Sequence, residues 1–149
     1  MAHKVYPAAI KAMLNGGVDL DTHDIRVALL MTNTTADTDT DAIDQISDFG
    51  TLDECDATGY ARVALTGESV TEDTTNDRAK FDANDSSFTG LSGNATRDIQ
   101  GALVYKYVDG TNANDVPLFF IDFTADIPKT ATQIDLPYNS AGLLTAAQA

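Results

Sequence analysis

Two apolar segments, IQGALVYKYV at residues 99–108 and LFFIDF at residues 118–123, flank a polar loop at residues 109–115. The first segment is long enough for a central β-strand, and the loop between the two is rich in Asp, Asn and Gly, which favour turns. We therefore expect the two segments to pair as a hairpin. Residues 25–32 include an unbroken apolar run from Val27 to Met31, which predicts another strand in the middle of a sheet, buried on both faces.

Weaker strand patterns surround this centre. Residues 60–66 and 78–83 alternate apolar and polar side chains, as half-buried strands do. Residues 132–136 and Leu143-Leu144 predict two closing strands with a turn at residues 139–142 between them. Short strands separated by Asp, Asn, Gly and Thr predict a mainly β protein, a β-sandwich or jelly-roll-like domain with a short N-terminal helix.

The N-terminal segment has the pattern of that helix. Pro7 suits its first turn, and Gly16-Gly17 ends it. A helix of about two to three turns is marginal in water, so its apolar side must dock on another surface. The pattern leaves open whether that surface is the domain's own sheet or a partner. The candidate interface residues are Val5, Tyr6, Ile10, Met13 and Leu14.

The length of 149 residues fits one domain. We divide the chain into an N-terminal helical arm at residues 1–17 and a single β-sandwich domain at residues 18–149. The domain carries an acidic insertion at residues 34–57. Large apolar residues recur there at intervals of three and predict a short helical turn over the sheet, namely Ile43, Ile46, Phe49 and Leu52.

The charge of the chain is strongly negative. Nine Lys and Arg against 23 Asp and Glu give a net charge of −14 at pH 7. That sign repels phosphate backbones and anionic headgroups, so we expect neither direct nucleic-acid binding nor membrane binding. The first fourteen residues contain no apolar run like that of a signal peptide, so synthesis in the cytoplasm is expected.

The acidic insertion contains an imperfect calcium-loop pattern. Asp37, Asp39, Asp41 and Asp48 occupy positions one, three, five and twelve of such a loop. However, Ala42 stands where the sharp turn needs Gly, and Asp48 is shorter than the Glu that binds calcium through both oxygens. We keep these four residues as weak metal candidates and predict neither a metal nor any other cofactor.

No catalytic constellation can be assembled from the sequence. Cys55 lies between Glu54 and Asp56, and negative neighbours disfavour a reactive thiolate. The two histidines, His3 and His23, belong to no recognisable Ser-His-Asp or zinc-binding pattern. We therefore expect no enzyme. The rings at residues 119, 120 and 123 are predicted to be core or subunit interface, because acidic residues border their strand.

Taken together, the parsed segments resemble small virion structural proteins of tailed bacteriophages, a family taken as head decoration or cement proteins. The resemblance rests on the order of short segments across most of the chain. These are the N-terminal helix, Val18-Asp19-Leu20, residues 25–30, Gly59-Tyr60, residues 65–67, residues 76–78, residues 81–85, residues 102–106, Pro117-Leu118, residues 121–123 and residues 139–144. The acidic insertion is the least similar part.

The resemblance implies a capsid decoration protein that stabilises the shell by binding the outer surface of the major capsid protein. It also implies self-association, with a homotrimer expected, and a location on the outer capsid surface of the virion. A net negative charge is compatible with that location, since packaged DNA would repel the chain. The family has no catalytic residues to transfer.

Two alternatives remain open at this point. A phage tail or head-to-tail connector protein would form rings and occur in few copies per particle. A calcium-dependent carbohydrate-binding module would use the Asp-rich loops as ligands.

Overall fold

The computed structural model describes residues 2–39 and 42–147. The protein is mainly β and β-sandwich-like, with one short helix near the N-terminus among these residues, which confirms the predicted fold class. The helix α1 spans Pro7–Leu14. The strands are β1 (Ala2–Val5), β2 (Ile25–Met31), β3 (Val63–Ala64), β4 (Ser69–Asp73), β5 (Arg78–Asp82), β6 (Ser86–Phe88), β7 (Ile99–Lys106), β8 (Val116–Ile127), β9 (Ile134–Leu136) and β10 (Leu144–Ala147).

Within the described residues, the strands form three antiparallel sheets. The largest has the order β1-β8-β7-β2-β3, and the smaller sheets have the orders β10-β5-β4 and β6-β9. The predicted hairpin is confirmed, because β7 and β8 pair in register from Lys106 opposite Val116. The strand predicted at residues 25–32 is also confirmed, ending one residue earlier at Met31, since β2 lies inside the largest sheet and is buried along almost its whole length.

One hydrophobic core includes buried side chains from all three sheets. The neighbouring strands β7 and β8 approach each other closely at Gly101. A Cβ at this position would lie 2.4 Å from the carbonyl oxygen of Ile121 and 2.4 Å from the ring of Phe120. Only glycine fits this approach without a shift of the neighbours.

The N-terminal segment joins the body of the protein. Ala2–Val5 pairs with β8, so Val5 belongs to a strand, and the helix begins only at Pro7. Tyr6 and Ala9 are buried, and the hydroxyl of Tyr6 donates a hydrogen bond of 2.8 Å to the carbonyl of Ala36. Gly16, with φ at +77°, takes the chain out of the helix in the left-handed conformation that glycine favours.

The acidic insertion contains the predicted helical turn, a 3-10 helix at Ile46–Asp48. Ile43, Ile46 and Phe49 are buried, and the ring of Phe49 meets that of Tyr6 edge to face at 5.4 Å between centroids. The insertion is therefore packed onto the body through its few apolar residues.

Some strand predictions were wrong in extent. Residues 60–66 form a strand only at Val63–Ala64, and the side chains of Tyr60 and Arg62 form partly buried hydrogen bonds to Leu29 and Glu54. The first hairpin strand ends at Lys106 instead of residue 108, and the amide of Val108 already donates to the buried Asp115 carboxylate of the loop. The closing strands occupy Ile134–Leu136 and Leu144–Ala147, with the predicted turn between them closed from Gly142 N–H to the carbonyl of Asn139.

Candidate interaction surface

A cleft of about 550 Å³ lies between the end of β8 and the segment from β9 to residue 143. The β8 side comes from residues 121–127, which include four residues that bulge out of the sheet. The pairing with β7 shows this bulge, since it passes from Gly101 opposite Asp122 to Ile99 opposite Ile127. Most of the lining is apolar and includes Ile121, Phe123, Ile127, Pro137 and Leu143.

A few polar groups stand at the margin of the cleft. The Asp135 carboxylate accepts hydrogen bonds from the Ser87 hydroxyl at 2.5 Å and from the Gln133 amide, and these bonds lower its pKa. The Tyr138 hydroxyl is hydrogen-bonded to the Ser86 hydroxyl, and burial raises the pKa of Tyr138 to about 12. His3 stacks on Phe119 at 6.2 Å between ring centroids. These groups are engaged in bonds that hold the cleft in shape.

The five candidate interface residues of the N-terminal segment do not share one environment. Tyr6 belongs to the core, and Val5 and Met13 are half-buried. Ile10 and Leu14 point to solvent, with 45% and 84% of their surface exposed. We call this pair the exposed α1 face. The helix thus docks on its own sheet through one side and presents a second apolar side outward.

The calcium-loop candidates do not converge. The carboxylates of Asp37, Asp39 and Asp48 each accept hydrogen bonds from neighbouring groups, respectively from Gln100, from Thr35 and Gly50, and from the amides of Asp44 and Gln45. Asp41 lies outside the described residues. The Lys4 ammonium donates to the carbonyl oxygens of Asp37 and Asp39, so a side-chain cation already binds at this loop. Across residues 2–39 and 42–147, no three His, Cys, Asp or Glu side chains form a group able to hold a metal ion.

The residues considered as nucleophile or base, Cys55, His3 and His23, do not come together in the cleft. Cys55 is buried, and burial raises the pKa of its thiol. The Nδ1 atom of His23 accepts a hydrogen bond from the amide of Asp19 in an exposed turn. His3 borders the cleft, and burial lowers the pKa of its imidazole.

Most of the positively charged side chains form ion pairs or hydrogen bonds within the chain. Each of the four arginines forms an ion pair with an Asp or Glu, and Lys80 pairs with Asp82. Lys106 donates to the carbonyl of Gly17. Because these cations are neutralised locally, the excess of carboxylates gives the protein a negative exterior.

The cleft was not anticipated from the sequence. Its residues come from three separate parts of the chain, and the only signal for it was the interpretation of Phe123 as core or interface. No helix within the described ranges is long and apolar enough to cross a membrane.

No protein-family model, curated protein or solved structure matches this chain.

Proposed function

We propose that this chain is a capsid decoration protein of a tailed bacteriophage, which binds the outer surface of the major capsid protein and associates with copies of itself. The observation that carries the proposal is that a well-packed, acidic β body has two apolar surfaces open to solvent, the exposed α1 face and the cleft. Surfaces of this kind serve protein contact.

The charge of the chain supports an outer location. With a net charge of −14 and its arginines paired internally, the protein would be repelled by packaged DNA. The order of sequence segments that resembles phage head proteins points in the same direction.

The mechanism is adhesion at many sites. Each copy adds a modest contact area across the joints between capsid subunits. Because every copy is held to the same shell, the contacts reinforce one another through a high effective concentration. No chemical step is required of any side chain.

Copy number per particle tests this function. We expect mass spectrometry of purified virions to count this chain in numbers on the order of hundreds, as a lattice-covering protein requires. A count on the order of ten per particle would instead favour a tail or connector ring. Absence from the purified virion would refute both assignments.

A further inference from the structure

Among the described residues, the large apolar side chains most open to solvent are Ile10, Leu14, Val70 and Val108. Ile10 and Leu14 stand one helical turn apart on α1, so they form one continuous apolar knob. Leu14 is the most exposed of the four, at 84%. Burying this pair would remove a substantial apolar area from water.

The cleft offers a surface of matching character. Its lining is mainly apolar, and its volume of about 550 Å³ is within the range of pockets that enclose small ligands. An amphipathic helix face seated in an apolar groove is a common mode of protein recognition.

The charges at the two surfaces are complementary. Lys11 is the one charged residue of α1, and it is exposed beside Ile10 and Leu14. Asp135 is exposed at the cleft, and the hydrogen bond from Ser87 favours its ionised form. Its hydrogen-bond partners Ser87 and Gln133 are uncharged, and no lysine or arginine of the described chain forms an ion pair with Asp135, so its negative charge is not neutralised within the chain.

We propose that α1 of one copy docks in the cleft of a second copy, with Ile10 and Leu14 against the apolar lining and Lys11 facing Asp135. The helix cannot fill the cleft of its own chain, because Tyr6 and Ala9 hold it on the body with Ile10 and Leu14 outward. The inference deepens the self-association included in the proposed function.

The contact is head-to-tail, since it joins two different surfaces of the same chain. A head-to-tail contact either closes into a ring or grows into a filament. Each copy in a closed ring gives one helix and receives one, so a trimer satisfies every exposed α1 face and every cleft.

Two variants separate the two halves of the contact. Ile10→Gln with Leu14→Gln removes the apolar knob but keeps good helix formers. Ala125→Arg places a long cationic side chain at an exposed position of the cleft, where it blocks entry and opposes Lys11. Val70→Gln is the matched control, because it removes an apolar side chain of similar exposure from β4.

Sedimentation velocity at about 10 µM, a concentration that populates a micromolar contact but not one a hundredfold weaker, measures the assembly. We expect the wild type and Val70→Gln to form the same oligomer. Each of the other two variants should be monomeric, with self-association weakened on the order of a hundredfold by the lost apolar burial. An equimolar mixture of the helix variant and the cleft variant should form a heterodimer and stop there, because one intact helix and one intact cleft remain.

Circular dichroism confirms that each variant is folded. A monomeric wild type, unchanged assembly of either variant, equal loss in Val70→Gln, or a mixture without heterodimer would overturn the inference. Binding of the wild type and the monomeric variants to isolated shells is measured separately. If a monomeric variant, or a monomeric wild type, still binds shells, the docking inference can fail while the decoration function is supported. If the wild type forms the oligomer but binds no shells, the docking inference is supported while the decoration function fails.

Discussion

Arg62 connects three parts of the chain that are far apart in sequence. Its guanidinium bonds Glu54 at 2.7 Å, Asn112 at 2.7 Å and Asp115 at 3.4 Å, and lies 5.1 Å from the ring centre of Tyr105. Asp115 is fully buried and also accepts hydrogen bonds from the amides of the loop that begins at Val108. Bonding to Glu54 raises the pKa of Arg62 further above its usual value. This cation, together with the hydrogen bonds from the amides of Ile46 and Ser47 to the carbonyls of Asp115 and Asn112, therefore joins the acidic insertion to the central hairpin.

Replacing Arg62 tests the importance of this cluster. We expect Arg62→Met to lower the free energy of unfolding by about 3–5 kcal/mol, because Glu54 and the buried Asp115 lose their cation. Urea denaturation measures the loss. Arg26→Met is the control, since Arg26 pairs with Asp24 at the surface and its loss should cost about 1 kcal/mol. Equal effects of the two substitutions would contradict the role given to Arg62.

At the scale of elements, the β7-β8 hairpin organises the fold. Both strands lie inside the largest sheet, and the residues of β8 that bulge between Asp122 and Ile127 form one side of the cleft. The close approach at Gly101 sets how tightly the two strands meet.

A methyl group at Gly101 should therefore be poorly tolerated. We expect Gly101→Ala to destabilise the protein by about 2–3 kcal/mol, because the Cβ would clash with the backbone of β8 and with the Phe120 ring. Gly50→Ala is the matched control, as the nearest atom to its Cβ is 3.5 Å away, and its change in stability should be small. The midpoints of thermal unfolding compare the two variants. Equal midpoints for Gly101→Ala and Gly50→Ala would show that β7 and β8 pack less tightly at Gly101 than the geometry indicates.

Long apolar runs allowed β2, β7 and β8 to be predicted, because burial on both faces overrides other preferences. By contrast, β1, β4 and β6 were not predicted, since they are short and mostly polar and are held by pairing with a neighbour. The helical turn in the insertion was predicted from its three-residue spacing. The sequence did not show which side of α1 is buried. Ala9, a small residue, is buried against the body, whereas the larger Ile10 and Leu14 are exposed.

At the scale of the whole molecule, charge and apolar surface are segregated. The arginines are paired within the fold, carboxylates dominate the exterior, and the apolar residues left in solvent lie at a few defined places. The total charge could be read from the sequence, but the pairing of each arginine depends on tertiary contacts. The cleft likewise could not be predicted, because it joins His3, the end of β8 and residues 135–143.

A density map of the purified virion tests the central claim most directly. The proposed function predicts density of this chain's size on the outer face of the shell, repeated with the lattice and placed at the joints between capsid subunits. Within each cluster of copies, the α1 density of one copy should enter the cleft of the next. Density for this chain confined to the tail, to the connector or to the DNA-facing side of the shell would contradict the account.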